Sequence, residues 1–150
     1  MYEAARPQEI AFFSGEIKDK VGNVVEGGRV EITNTVTKEK TMALLDSSSG
    51  KFMAAVKVKS KDDLLITIKK NDYAFSSKIV SASDVITPKP IRMEVDEVKT
   101  GSSFILNNLS YNTNSAELTN ESFVVLESFL EFLNDNPTIH IEIQGHTDNV

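Results

Sequence analysis

The first part of the chain consists of short stretches in which apolar and polar residues alternate, separated by turn sequences. GRVEITNT, KFMAAVKV and DLLITIKK are three such stretches, and KDKVGN and DSSSG are turn clusters between them. A period of two residues is typical of strands with one buried face, and turn signals about every ten residues are typical of antiparallel sandwiches. We therefore predict a β-sandwich over residues 13–87, preceded by a tail or linker at residues 1–12.

The pattern changes after this region. Pro88 and Pro90 favour an extended connection with few hydrogen bonds, so residues 88–102 are predicted to be a linker. Residues 103–150 then predict a strand, a polar loop, a helix and a second strand, with the two strands paired in parallel. Two strands and one helix leave a sheet edge and a sheet face uncovered, so we expect this module to be incomplete.

The helix is predicted from the segment TNESFVVLESFLEFLNDNP. Thr119 or Asn120 can cap it, Glu121 lies in its first turn, and Asn136-Pro137 ends it. Its apolar residues recur at helical spacing: Phe123, Leu126, Leu130 and Leu133, flanked by Val125, Phe129 and Phe132. After the helix, the isoleucines of IHIEIQ alternate with polar residues and predict the second strand.

Composition excludes several classes of protein. The 150 residues are 40% hydrophobic and 25% charged, which is ordinary for a globular protein. No apolar run approaches the roughly 18 residues of a membrane span, and the start MYEAARPQEIAFF lacks a signal-peptide pattern. The absence of cysteine excludes disulfides, thiol chemistry and a Cys-ligated zinc.

The net charge of −6 is unevenly distributed. Residues 1–93 carry fifteen Lys and Arg against twelve Asp and Glu, whereas residues 94–150 carry one Lys against ten acids. The halves thus differ in sign, +3 against −9, which suggests two modules. The acidic half is a poor surface for nucleic acid, and we expect no nucleic-acid partner.

A polar cluster follows the second predicted strand. Gly145 permits a sharp turn, and His146, Thr147, Asp148 and Asn149 follow directly. Loops at the carboxyl ends of strands are where α/β sheets bind ligands. The cluster is consistent with a ligand cradle in which Asp148 accepts hydrogen bonds from an ammonium group. It is equally consistent with a local role, in which Thr147 and Asp148 cap a helix that starts beyond Val150.

Two further hypotheses involve these residues. A metal site would use His140, Glu142, His146 and Asp148 as nitrogen and oxygen ligands, although the two histidines lie on opposite sides of the Gly145 turn. A catalytic site would use His146 as the base and Asp148 to orient it. No cysteine and no serine elbow motif accompany them, so we expect no enzyme activity, no catalytic residues and no metal.

The segment LNNLSYNTNSAELTNESFVVLESFLEFLNDNPTIHIEIQGHTDNV resembles the first half of an OmpA-like C-terminal domain. The helix, its NP stop, the alternating isoleucines and GHTDN occur in the order found in that family. The resemblance implies an α/β fold with a βαβ module that is truncated here. It also implies a pocket for the diaminopimelate of the peptidoglycan stem peptide, which anchors Gram-negative outer-membrane proteins to the cell wall.

The resemblance also implies the site residues. The family's ligand-binding Asp corresponds to Asp148, with Thr147 and Asn149 beside it and Asn112 and Thr113 in the facing loop. The family usually has an aromatic residue followed by Asp where this chain has Tyr111 followed by Asn112, so one acid is missing. The family's partner Arg lies on a second helix, which we expect roughly 15 residues beyond Asp148 by helical spacing.

The upstream half resembles a carboxypeptidase regulatory-like, transthyretin-like β-sandwich in the segments FSGEIKDKVGNVVEGGRVEITNTVTKE, SGKF and LLITIKKNDYAFSS. A sandwich followed by an OmpA-like domain is similar to the end of certain Bacteroidetes outer-membrane proteins. We therefore expect the chain to be an interior fragment of a longer exported protein. It would lie on the periplasmic face of the outer membrane, and other parts of the protein would attach it to that membrane.

Two functions follow from these resemblances. The first is a non-enzymatic cell-envelope anchor without a cofactor, in which the sandwich is a spacer and the OmpA-like part binds the peptidoglycan stem peptide. The alternative is that the β-sandwich itself binds a glycan or partner protein, with the OmpA-like part serving as attachment only. From its pattern, the lysine-rich stretch KVKSKDDLLITIKK is predicted to be a strand with a solvent-exposed lysine face, and Tyr73 to be an anchor at the edge of the core.

Overall fold

The computed structural model describes residues 9–59, 61–82 and 90–145. Within those ranges the chain forms short strands and a helix. These elements are β1 (Glu9–Lys18), β2 (Arg29–Asn34), β3 (Lys40–Met42), β4 (Leu44–Leu45), β5 (Lys51–Val58), β6 (Asp63–Lys69), β7 (Ser76–Ser81), β8 (Ile91–Glu94) and α1 (Asn120–Asp135).

The strands form two four-stranded sheets. Sheet A has the order β4-β5-β1-β8, and sheet B has the order β3-β2-β6-β7. Neighbouring strands are antiparallel except β1 and β8, which run parallel. Phe13 lies opposite Ala54 in sheet A, and Ile32 lies opposite Ile66 in sheet B.

The inner faces of the two sheets share a buried core. Alternate residues of each strand point to the same side, so the apolar residues of β1 and β5 meet those of β2 and β6. The core residues with the least exposure include Phe13, Ile17, Phe52, Val56, Val30, Ile32, Leu64, Ile66 and Ile68. The predicted mostly-β fold is confirmed, and two sheets packed through a shared core are compatible with a β-sandwich. Tyr73 packs against the edge of this core, as predicted.

Helix α1 packs against the outer face of sheet B. Leu65 of β6 and Phe75 contact Val125, Phe129 and Phe132 of the helix in a second buried cluster. Strand β6 is consequently buried on both faces from Leu64 to Lys69. The helix prediction is confirmed, including the cap at Thr119, whose side chain accepts a hydrogen bond from the Ser122 N–H.

Some strands lie outside the predicted sandwich range. Strand β8 falls within the segment predicted to be a linker, where Ile91 and Met93 turn toward the core and Arg92 and Glu94 are exposed. Strand β1 begins at Glu9, inside the predicted tail. Pro90 precedes β8 directly, a position that a strand tolerates because no ladder hydrogen bond from its missing N–H is needed there.

The strands expected on either side of the helix are not formed in the part of the chain that the structure describes. Residues 103–110 and 139–145 have no ladder pairing, and Ile105 and Ile143 are exposed. An alternating stretch becomes a strand only when a neighbouring strand supplies hydrogen bonds and a covering face. Here α1 buries its apolar side on sheet B instead, and Phe104, Leu106 and Ile139 pack against that cluster without a strand partner among the described residues.

Candidate functional site

The predicted ligand residues fall into two groups. Asn112 and Thr113 lie in the loop before α1, and both are exposed. Asp148, Thr147 and Asn149 lie outside the described residues.

The loop that carries Asn112 and Thr113 is a closed turn. Tyr111 and Leu118 form an isolated β-bridge at its base, and the Asn112 amide donates to the Glu117 carbonyl at 2.8 Å. Asn114 at its tip has a φ of 54°, in the left-handed region that asparagine tolerates better than most residues. The predicted polar loop before the helix is therefore confirmed.

This loop is attached to the start of α1 by the buried Ser122. The Ser122 hydroxyl accepts a hydrogen bond from the Ser110 N–H at 2.7 Å and lies 3.0 Å from the Ser110 carbonyl. The Thr119 N–H also donates to the Ser110 carbonyl, at 3.0 Å. The helix N-terminus therefore holds the loop in a fixed position relative to the helix axis.

The exposed side chains of Asn112 and Thr113 have no hydrogen-bond partner among the described residues. They supply an amide and a hydroxyl, which can donate to a carboxylate or accept from an ammonium group. They supply no charge, since asparagine stands where the resembling family has an acid. The negative charge that the protein would offer to the ligand's ammonium group would have to come from Asp148.

In the first turn of α1, two carboxyl groups meet in a contact that the sequence did not predict. The Glu121 carboxyl hydrogen bonds with the Asp63 side chain at the start of β6. This hydrogen bond, followed by partial burial and the Asp63 charge, raises the pKa of Glu121 to about 7. The helix dipole favours an anion at this end, but a neighbouring carboxylate outweighs it and keeps Glu121 largely protonated below neutrality.

The metal and catalytic hypotheses concern residues at the end of the chain. His140 and Glu142 are exposed, and Glu142 accepts a hydrogen bond from the Gln144 side chain at 2.9 Å. In the described ranges, no group of three or more acidic, histidine or cysteine side chains is arranged to hold a metal. His146 and Asp148 lie outside those ranges.

At the opposite end of α1 is a cleft of about 450 Å³ that was not predicted. Arg29 of β2, Lys69 of β6 and Lys70 just after β6 line one side, and Asp135 and the C-cap residue Asn136 line the other. Arg29 lies 3.5 Å from Asp135, and the last helical turn has no basic residue of its own. The cations of sheet B thus neutralise the negative end of the helix, which is a structural role.

Lys69 corrects the prediction of a solvent-exposed lysine face. Lys57, Lys59 and Lys61 are exposed, as expected. Lys69 is buried, because the helix covers that side of β6, and it pairs with Glu31 at 3.3 Å and with Glu131 of α1. The contact between β6 and α1, which the sequence does not reveal, decides which lysine is buried.

No family model matches the chain, and neither does any curated protein sequence or solved structure. Of the residues that the structure describes, none belongs to a helix with the length and hydrophobicity of a transmembrane span.

Proposed function

We propose that this chain is part of a non-enzymatic cell-envelope protein that anchors the outer membrane to peptidoglycan. Its OmpA-like part, residues 103–150, would bind diaminopimelate of the stem peptide. The carboxypeptidase regulatory-like sandwich would act as a spacer on the periplasmic face of the outer membrane. The observation that carries the proposal is the ordered series of a polar loop, a capped helix, an NP stop, alternating isoleucines and GHTDN.

The geometry of the loop supports this proposal. A ligand with two charged ends needs polar groups held in place before it binds, because ordering them on binding reduces affinity. The Ser122 and Thr119 hydrogen bonds fix the loop to the helix, and Asn112 and Thr113 remain open to a ligand. Such a loop suits hydrogen bonding to the peptide and carboxylate groups beside the diaminopimelate ammonium.

The energetics require several groups to act together. One charge-assisted hydrogen bond contributes about 1.5–3 kcal/mol. A complex with a dissociation constant of 1 mM needs about 4.1 kcal/mol. Asp148 alone is therefore insufficient, and Asn112, Thr113 and a cationic side chain for the ligand carboxylate would supply the rest.

The experiment is co-sedimentation of the natural full-length protein with peptidoglycan sacculi, followed by titration with a diaminopimelate-containing stem peptide. Asp148→Asn removes the charge that would hold the ammonium group while preserving side-chain size. We expect the dissociation constant to rise about tenfold or more, the effect of one charge-assisted hydrogen bond.

Asp72→Asn is the matched control. Asp72 is exposed in a turn of the sandwich with a φ of 66°, which asparagine also tolerates, so the fold and the binding should not change. Equal binding by wild type and Asp148→Asn, or no binding by wild type, would overturn the proposed function. A stem peptide with lysine in place of diaminopimelate tests whether the second carboxylate is recognised.

A further inference from the structure

The outward face of sheet A carries exposed apolar side chains on three neighbouring strands. Ile10 and Phe12 of β1 are 59% and 70% exposed, and Met53 of β5 and Leu44 of β4 are 60% and 75% exposed. The register places Leu44 opposite Met53, and it places Phe12 opposite Ala55, two residues from Met53 on β5. These five residues form one continuous surface, which we call the sheet A patch. An exposed apolar patch of this kind marks an interaction surface.

Three lysines flank the sheet A patch. Lys51 and Lys57 point outward from β5 on the same side as Met53, because successive residues of a strand alternate between its two faces. Lys57 lies opposite Ile10, and the exposed Lys59 follows β5 directly. We call Lys51, Lys57 and Lys59 the patch lysines. Within the described ranges none of their ammonium groups forms an ion pair, so these charges are available to an anionic partner.

Cations outnumber acids on the outward face of sheet A. Glu16 lies 3.4 Å from both Lys18 and Arg92, and Glu94 lies opposite Lys18 in the register of β1 and β8. The outward positions of the four strands thus carry four cations against two acids, a net charge of +2 before Lys59 is added. The four cations are Lys18, Lys51, Lys57 and Arg92.

The opposite side of the molecule is acidic. Helix α1 lies on the far side of sheet B from sheet A, and residues 101–145, which include it, contain six acids and no lysine or arginine. Three cations of sheet B pair with acids of the helix, which leaves an excess of acid; these cations are Arg29, Lys40 and Lys69. An anionic surface therefore attracts the sheet A side of the molecule and repels the helix side.

The residue types on this face favour a lipid surface over a protein surface. Protein interfaces are enriched in Tyr, Trp and Arg and depleted in Lys, whereas the sheet A patch is flanked by lysines. Binding to an anionic bilayer combines burial of apolar side chains between the headgroups with attraction of lysines to the phosphates. A fluid bilayer also needs no complementary shape, and the apolar side chains here project separately from three strands.

We propose that the outward face of sheet A binds an anionic phospholipid surface. The sheet A patch enters the boundary between headgroups and acyl chains, and the patch lysines lie beside the lipid phosphates. This lipid contact and the proposed stem-peptide site use opposite sides of the molecule, because the turn with Asn112 and Thr113 is attached to α1. Either can therefore exist without the other. If both form, sheet A faces the membrane and the turn faces away from it.

Co-sedimentation of the chain with vesicles tests the lipid contact. The chain should sediment with vesicles that contain phosphatidylglycerol. Its partition coefficient should fall at least about tenfold on phosphatidylcholine alone, and it should also fall as the salt concentration rises. Asp148→Asn, the variant of the stem-peptide experiment, should bind these vesicles as wild type does.

Variants with matched controls assign the binding to sheet A. Lys57→Gln combined with Lys59→Gln should lower the partition coefficient at least about tenfold, and Phe12→Ser should do the same. Lys78→Gln removes one exposed cation from sheet B, and Phe123→Ser removes a half-exposed phenylalanine from α1. Both controls should bind as wild type does.

Fluorescence tests whether the patch enters the bilayer. The chain contains no tryptophan, so Phe12→Trp introduces a single probe into the sheet A patch. Its emission should shift to shorter wavelength on phosphatidylglycerol vesicles, because the indole leaves water. Phe123→Trp places the same probe on α1, and its emission should not change.

Several results would overturn the proposed lipid contact. One is a wild-type chain that does not sediment with phosphatidylglycerol vesicles. Another is an equal loss of binding per charge in Lys78→Gln, which would show attraction without a defined face. Unchanged emission of vesicle-bound Phe12→Trp would exclude entry of the patch into the bilayer. Self-association without lipid that Phe12→Ser abolishes would assign the patch to a second copy of the chain instead.

Discussion

At the scale of single residues, position in the sequence predicts some roles and not others. An acid in the first helical turn is expected to be ionised and stabilising, and Glu121 lies in that turn. The structure places it beside Asp63, and this contact raises the pKa of Glu121 to about 7. The sequence could not reveal this, since the two residues lie on different elements and only the docking of α1 on sheet B brings them together.

Glu121→Gln tests this contact through the pH dependence of stability. The folded-state pKa is above the unfolded value of 4.5, so the folded state binds more protons between those values. The stabilising effect of the protonated group is complete below pH 4.5 and is lost as the pH rises through 7. Urea unfolding should show that wild type loses about 1 kcal/mol of unfolding free energy between pH 5 and pH 8, relative to Glu121→Gln. The loss is this small because solvent partly screens the pair.

Glu127→Gln is the control for this experiment, since Glu127 lies on the exposed side of the same helix. Its pH dependence should match that of wild type. If Glu121→Gln retained the full wild-type dependence on pH, the contact between Glu121 and Asp63 would not form in solution.

Gly15 tests the pairing of β1 with the edge strand β8. A Cβ added at Gly15 would lie 2.3 Å from the Ile91 carbonyl oxygen and 2.4 Å from the Phe52 ring. Since the carbonyl belongs to the backbone of β8, Gly15→Ala should destabilise the fold by about 1–3 kcal/mol, as overpacking does. Gly145→Ala meets no atom within 4 Å and should leave the unfolding midpoint unchanged. Equal stability of the two variants would contradict the β1–β8 pairing.

At the scale of elements, local signals predicted the helix well but not the side that it buries. Capping at Thr119 and the NP stop are short-range effects, and α1 forms between them as expected. The apolar residues surround much of the helix, so periodicity alone does not determine which side is buried. Phe123 and Leu130 belong to the series of apolar residues at helical spacing and are nevertheless exposed, because the side of the helix that packs on the outer face of sheet B carries Val125, Phe129 and Phe132.

Phe129→Ala tests the docking of α1. The Phe129 ring is buried and contacts Phe75 with ring centroids 5.3 Å apart in an edge-on arrangement. Its removal should cost about 3–5 kcal/mol of unfolding free energy, the usual range for a buried phenylalanine. Phe123→Ala removes the same side chain from the exposed side of the helix and should cost far less.

Amide exchange distinguishes local from global effects of Phe129→Ala. Helix amides should lose protection first, while β1 and β5, whose core lies on the other side of sheet B, should keep theirs. Similar free-energy losses for Phe129→Ala and Phe123→Ala would show that α1 is not packed on sheet B.

At the scale of the whole molecule, the charge difference between the two parts of the chain has a structural counterpart. Lys69 of sheet B pairs with Glu131 of α1, and Lys40 also pairs with Glu131. Composition predicted two modules of opposite charge, and these ion pairs join residues of the cationic and acidic parts of the chain at the sheet B surface. The sequence could not predict the connection, because it depends on non-local contacts that no short motif encodes.

In the candidate site, too, local features were predictable from the sequence and non-local contacts were not. The asparagine-rich turn with Asn112 and Thr113 was predictable from turn chemistry, and it forms. The parallel strand pairing that would place this turn beside Asp148 is non-local, and residues 103–110 and 139–145 do not form it in the described part of the chain.

The most direct test of the anchoring function is hydrogen exchange of the natural full-length protein with and without a saturating diaminopimelate-containing stem peptide. We predict slower exchange in two segments together, residues 107–118 and residues 145–150, while the strands of sheet A exchange at an unchanged rate. Protection confined to the sandwich, or no protection in the turn that carries Asn112 and Thr113, would contradict it.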